Sequence, residues 1–176
     1  VTKTWSNTAE GVVFTLRLPR IIGAVLVGSA LSLSGAAYQG VFKNPLVAPD
    51  LLGVSSGACV GASVAILLHL NSFGVQAMAF VAGILAVGLT LFIPRLIKNT
   101  NMTMLVLSGI IVKGIMDSVM GIIKYVADPE TELQSITYWQ LGSLTKVLPK
   151  DLFTVGPVIV AASVIIFLLR WRINRS

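Results

Sequence analysis

Apolar residues arrive in this chain as long uncharged runs, separated by short polar segments that contain proline. The first run, Ile21 to Phe42, holds twenty-two residues without a charge between Arg20 and Lys43. At about 1.5 Å per residue such a run crosses a ~30 Å hydrocarbon core as a helix. Four more runs reach or approach spanning length, at residues 51–70, 73–94, 104–126 and 152–169. The last is the shortest, and Asp151 and Arg170 at its ends extend toward the polar boundary to help it fit. Asn44-Pro45 and Ala48-Pro49 mark where the first crossing stops. Between the fourth and fifth runs, Asp128-Pro129-Glu130-Thr131-Glu132 leads into a stretch too short to cross. Thr131 suits an N-cap, Tyr138 and Trp139 are types that favour the interface, and Gly142 suits a helix end. The pattern predicts an all-α polytopic membrane bundle of about five transmembrane helices plus one short interfacial helix, forming one region over residues 1–176.

Small residues recur every fourth position: Gly28, Ser32, Ala36 and Gly40 in the first run, then Gly53, Gly57 and Gly61 in the second. On a helix each series makes a narrow strip along which a second backbone approaches closely. Contacts within the chain are expected ahead of homodimer contacts, because most such strips in a multispan protein meet neighbouring helices.

Composition agrees with burial in lipid: 55% of the 176 residues are hydrophobic and only 11% charged, with mean hydropathy +0.89. A soluble domain carries about a quarter charged residues. The net charge of +6 does not point to nucleic acid, because the thirteen Lys and Arg lie mainly between apolar runs and form no long block. Six of them fall on each side of the predicted bilayer, with Lys113 inside a span. The positive-inside rule therefore leaves orientation open, although Arg170, Arg172 and Arg175 favour a cytoplasmic C-terminus. Residues 1–20 lack the apolar core and cleavage site of a secretory signal and read as chain outside the bilayer. The single cysteine, Cys59, reads as a small core residue.

Few residues offer chemistry. Gly53-Val54-Ser55-Ser56-Gly57 has the form of a hydrolase nucleophile elbow, with His69 as the one histidine available as a base. The elbow needs a preceding strand, and Ser55 and His69 lie about 21 Å apart along one predicted helix, so direct proton transfer is excluded. His69 reads instead as interfacial. No metal-ligand cluster and no phosphate-binding glycine pattern occurs, so no cofactor is expected and ATP must be bound by another polypeptide. Asn101-Met102-Thr103 has the form of a glycosylation sequon, too short a match to carry weight beside the membrane. Lys113 and Asp117 are the anomaly of the fourth run. Each costs about 2.5–3.5 kcal/mol in hydrocarbon, and their i,i+4 spacing lets them neutralise one another on one helical face. Two readings stand: a polar stripe along a translocation path or subunit interface, and a structural ion pair locking helices.

Several segments, in order over some 125 residues, carry a family resemblance. They are Leu16-Arg17-Leu18-Pro19-Arg20, Ser34-Gly35-Ala36-Ala37-Tyr38-Gln39-Gly40, Asn44-Pro45-Leu46 and Leu52-Gly53-Val54-Ser55-Ser56-Gly57-Ala58. Leu105-Val106-Leu107-Ser108-Gly109 and Tyr138-Trp139-Gln140-Leu141-Gly142-Ser143 follow at matching intervals. Together they resemble the permease subunit of type II ABC importers (FecCD-like), the family that takes up ferric siderophores, haem and cobalamin across the prokaryotic cytoplasmic membrane. The resemblance implies that the chain corresponds to the second to sixth of ten spans, with an external N-terminal segment, a cytoplasmic C-terminus and a cytoplasmic loop at Lys98–Thr103. It implies no catalytic residue in this chain. It also implies the partners: a second permease subunit or half, two ATP-binding subunits, an external substrate-binding protein and the lipid bilayer. Arg17 and Arg20 match the arginines that receive acidic residues of the binding protein. Met102 and Thr103 match the cytoplasmic gate, where Met102 is bulkier than the small polar residues the family uses. The fourth run, with Lys113 and Asp117, matches the helix lining the path. The alternative from another class is a non-transporting helical anchor or assembly subunit.

Overall fold

The computed structural model describes residues 11–45, 47–98, 101–147 and 149–173, and among them every regular element is helical. Residues 1–10 and Arg175 lie outside the described residues, as do the side chains of Lys146 and Arg172. The chain divides into two compact units, residues 1–47 with 143–176, and residues 48–142.

In the first unit, helix α1 (Leu18–Phe42) continues without a break from a π-helical stretch, Val12–Arg17, giving 31 helical residues. Pro19 sits in its first turn, where the missing N–H has no intrahelical acceptor to lose. It ends at Lys43, whose φ of 47° is left-handed and whose N–H reaches Gln39 O and Gly40 O. Ser29, Ser32 and Ser34 turn their hydroxyls onto carbonyls one turn back, at 2.8–3.0 Å, so they need no partner from outside. After a 3₁₀ turn at Leu144–Lys146 comes α6 (Pro149–Leu168), with a last short helix α7 (Arg170–Ile173). Gly23 faces Val147 and Leu152, and Gly156 faces Leu26. Contacts that advance in the same sense on both helices make α1 and α6 parallel. The strip Gly28, Ser32, Ala36, Gly40 is exposed within this unit, and a Cβ added at Gly28 meets nothing within 4 Å.

The second unit holds α2 (Val54–Leu67), α3 (Ser72–Leu96), α4 (Met102–Val126) and α5 (Glu132–Leu141). The glycine strip of α2 packs on α3. A Cβ at Gly57 would lie 2.5 Å from Ala86 Cβ and 3.0 Å from Ala82 O, and one at Gly61 would meet the Met78 carbonyl and, at 2.5 Å, Ala82 Cβ. As numbers rise along α2 they fall along α3, so the pair is antiparallel and nearly in backbone contact, the approach that small residues permit in lipid. The tight turn between them passes through His69 (φ 52°) and restarts with Asn71, whose Oδ1 accepts the Gly74 N–H at 2.8 Å. A core of Met120, Ile123, Ala127 and Ile136 joins α4 to α5, with half-buried Cys59 against it.

Four helical stretches have the length and composition to cross a bilayer: Val12–Phe42, α3, α4 and α6. The expected crossing at 51–70 is the exception. Its helix, α2, has 14 residues, about 21 Å against a ~30 Å core. Pro49 and Gly53 account for this: Pro49 opens a 3₁₀ turn, Pro49–Leu52, and Gly53 at φ 72° redirects the chain before α2 begins. The short helix near the interface is present as α5, with Tyr138 and Trp139 exposed and Gly142 (φ 68°) ending it. Thr131 stands at its N-cap position without a capping bond from its side chain. Asp128 instead holds the turn before the helix, its Oδ1 accepting the N–H groups of Glu130 (2.8 Å) and Thr131 (3.2 Å), while Glu132 Oε2 accepts the Asp128 N–H at 3.0 Å.

Gly61→Ala should lower the thermal or denaturant stability of the purified protein by about 1–3 kcal/mol, because the obstructing carbonyl of Met78 belongs to the backbone. Gly28→Ala should change it little; equal losses at the two sites would contradict the α2–α3 packing.

Candidate functional site

The 3₁₀ turn that shortens α2 is wedged between α3 and α4, well inside their ends. Thr90 Oγ1 donates to Leu52 O at 3.0 Å, six residues before the end of α3, and Gly109, seven residues into α4, lies directly against the Leu51 carbonyl. Those offsets place the turn about 9–10 Å in from the helix ends. Leu52, Gly53, Thr90, Gly109 and Val112 are buried around it. Irregular backbone is tolerated at this depth because it is enclosed by protein. The turn closes its own bonds, Leu51 N–H to Ala48 O and Gly53 N–H to Asp50 O, both 3.1 Å.

Asp50, within this turn, carries the site's electrostatics. Lys113 Nζ donates to Asp50 Oδ2 at 2.9 Å, and Ser55 in the first turn of α2 lies beside the same carboxylate. Lys113 therefore pairs across elements, in place of the i,i+4 pairing with Asp117 expected within α4. The reason is geometric: with no Cβ at Gly109 or Gly53, the turn approaches α4 closely enough to deliver a carboxylate beside the ammonium. The Lys113 and Asp50 side chains are 43% and 50% exposed, so the pair is open on one side at mid-depth.

That open side continues along α4. Lys113, Asp117 and Lys124 fall within about 40° of one another around the helix, and Thr103, Ile110 and Gly121 within about 80° of Lys113. Asp117, Thr103, Ile110 and Gly121 are exposed, and a Cβ at Gly121 meets nothing within 4 Å. At the far end, Lys124 Nζ donates to Gln140 Oε1 on α5, which ties the stripe to the interfacial helix. His69 sits at the same end, its Nε2 3.5 Å from Glu132 Oε1.

The remaining expected residues are placed as follows. Arg17 closes the π-helical stretch and is exposed; Arg20, in the first turn of α1, is half-buried, and its Nε has no hydrogen-bond partner among the described residues. Met102 and Thr103 open α4, both exposed, with Asn101 at the N-cap position. Lys98 ends α3 in left-handed geometry (φ 54°). Ser55 lies in the first turn of α2 and His69 beyond its C-terminal end. Three residues of the site escaped the sequence reading: Asp50, Thr90 and Gly109. The available signal for Asp50 was its position between Pro49 and Gly53, in a turn that interrupts an otherwise apolar run.

A helical membrane protein whose polar groups gather on one helix face and around one enclosed turn belongs to the class of multispan integral membrane proteins. Residues 1–175 match the FecCD transport family, and the chain belongs to it. It is 35% identical over 166 residues to the molybdate import system permease protein MolB of Haemophilus influenzae, covering 94% of this chain and 49% of that protein. It is 39% identical over 163 residues to a probable iron chelatin transport system permease protein of Helicobacter pylori, covering 93% and 49%. A metal-chelate type ABC transporter solved in an inward-facing conformation superposes with a TM-score of 0.89 at 32% identity, covering 99% of this chain and 55% of that one. The chain thus spans about half the length of the relatives it matches.

A double-mutant cycle on Asp50→Asn and Lys113→Met should give a coupling of about 0.5–3 kcal/mol in unfolding experiments on the permease, exceeding that of Lys113→Met with Asp117→Asn. Additive losses for Asp50 and Lys113 would show that the pair does not hold in the folded protein.

Proposed function

We propose that this chain is part of the permease of an ABC importer and moves its substrate across the membrane by alternating access. The observation that supports this most is the match to an import permease family along nearly the whole chain, together with the close superposition on a metal-chelate type transporter. The substrate we assign is a metal chelate or corrinoid, with ferric siderophore, haem and cobalamin as the candidates. The molybdate and iron chelatin permeases among its relatives make the panel to be tested broader than iron. ATP hydrolysis belongs to two separate ATP-binding subunits. A second permease subunit or half and an external binding protein complete the assembly.

Within it, Arg17 and Arg20 receive carboxylates of the binding protein. A guanidinium offers a planar fork of donors that matches a carboxylate in bidentate fashion, and the exposure of Arg17 suits that role. Met102 and Thr103, exposed at the start of α4, form the cytoplasmic gate. The stripe containing Lys113 and Asp117 lines the path, with Asp50 as the ion-pair partner of Lys113 there. Charged groups half-open to their surroundings at mid-depth are stable facing water or protein and costly facing lipid.

Three measurements test this reading. The full-length permease, reconstituted with its ATPase and binding protein in proteoliposomes, should accumulate one of labelled ferric siderophore, haem, cobalamin or molybdate only with ATP. An intact complex that moves none of them would overturn the assignment. Cysteines placed singly at Asp117 and Gly121 should react with a charged thiol reagent about tenfold or more faster than cysteines at Ile115 and Ile122 on the opposite side of α4. Equal rates would remove the stripe from the path. Arg17→Glu with Arg20→Glu should weaken binding-protein docking about tenfold or more at low salt, and unchanged affinity would reject those two arginines as the docking pair.

A further inference from the structure

The parallel course of α1 and α6 gathers basic and aromatic residues at one end of their unit. Gly23 lies beside Leu152 and Leu26 beside Gly156, and α7 also packs against α1. The same register carried to the end of α1 brings the Tyr38–Phe42 stack (6.0 Å between centroids) and Lys43 to the level of Arg170–Ile173. Arg172 and Arg175 add two more cations to this stretch of sequence. The guanidinium carbon of Arg170 is 4.3 Å from the Phe167 ring centroid and 5.9 Å from that of Trp171.

We propose that this end of the α1–α6 pair binds the phosphate of an anionic phospholipid, with Arg170 as its principal ligand. Aromatic faces stabilise the cation of Arg170 but accept none of its five N–H groups in plane. Among the described residues no carboxylate lies within ion-pair distance of it. Within the described residues its donors are open to an anion, and the forked geometry matches the two free oxygens of a phosphodiester. Arg170 leans back over Phe167, three residues earlier, so the charge is held at the last turn of an apolar helix. Leu168 and Trp171 flank it, 70% and 74% exposed. An anion joined to acyl chains satisfies both parts of this surface at once. A free phosphate leaves the apolar part in water, and an acidic protein face covers it with polar groups.

The test uses the full-length permease in nanodiscs containing lipids with brominated acyl chains, reading the quenching of tryptophan emission that disappears in Trp171→Phe. Brominated phosphatidylglycerol should be preferred over brominated phosphatidylcholine at this site by about fivefold, the scale of one basic residue near an anionic surface. Arg170→Gln should bring the preference close to one, with quenching by phosphatidylcholine retained as the sign of an intact fold, and Arg170→Lys should keep part of it. Equal quenching by the two lipids in the wild type would overturn the proposal, as would a preference indifferent to Arg170→Gln. Loss of the preference on adding millimolar inorganic phosphate would assign the site to the free anion. Absence of quenching by either lipid would mean that protein covers the surface.

Discussion

Within hydrocarbon there is no water to accept a stray N–H or to screen a charge, and the second unit is organised around one place that breaks the helical solution to that problem. At Pro49–Gly53 a 3₁₀ turn and a left-handed glycine stand in place of α-helix about 9–10 Å inside the ends of α3 and α4. Its neighbours supply what lipid withholds: Thr90 a hydroxyl, Gly109 room for the Leu51 carbonyl, and Lys113 a cation for Asp50. Once that turn is enclosed, α2 has to start inside the ends of its neighbours. It lies so close to α3 that glycines are required at positions 57 and 61. The core of Met120, Ile123, Ala127 and Ile136 then holds α5 against the same bundle.

Enclosure on one side leaves openness on the other. The turn covers one flank of the Lys113 ammonium, while the stripe through Asp117 and Gly121 stays exposed. With protein behind it, the polar face has its charges held in position by neighbouring backbone and side chains. The Lys124–Gln140 bond extends the same support to the interfacial helix.

Much of this was legible in the chain, for identifiable reasons. Span ends are set by charge and proline, so the runs at 73–94 and 104–126 differ from α3 and α4 by a few residues at their termini. Spacing by four revealed the α2 strip, since small residues at that period have one efficient use in lipid. Hydropathy does not distinguish a helix from a 3₁₀ turn followed by a helix, so Leu51 and Leu52 were counted into a crossing. The partner of Lys113 was hidden because Asp50 is sixty-three positions away, and local spacing favoured Asp117. The docking role proposed for Arg17 and Arg20 rests on resemblance alone. Their local geometry, one exposed and one half-buried, comes from where the helix starts, which the apolar pattern leaves unspecified.

The start of α1 has a different bearing. From Val12 to Arg17 the helix is wound in wide turns that hold more residues per revolution than the helix they lead into. Such a segment is a reserve of length: losing one residue there would tighten it to ordinary α-helix, while everything from Leu18 onward kept its place. Relatives that differ by a single residue in this segment would therefore keep the same buried faces, with only the approach to Arg17 rotated. The π-helical stretch can give up one residue where the chain enters α1 without shifting the register of the helix beyond it.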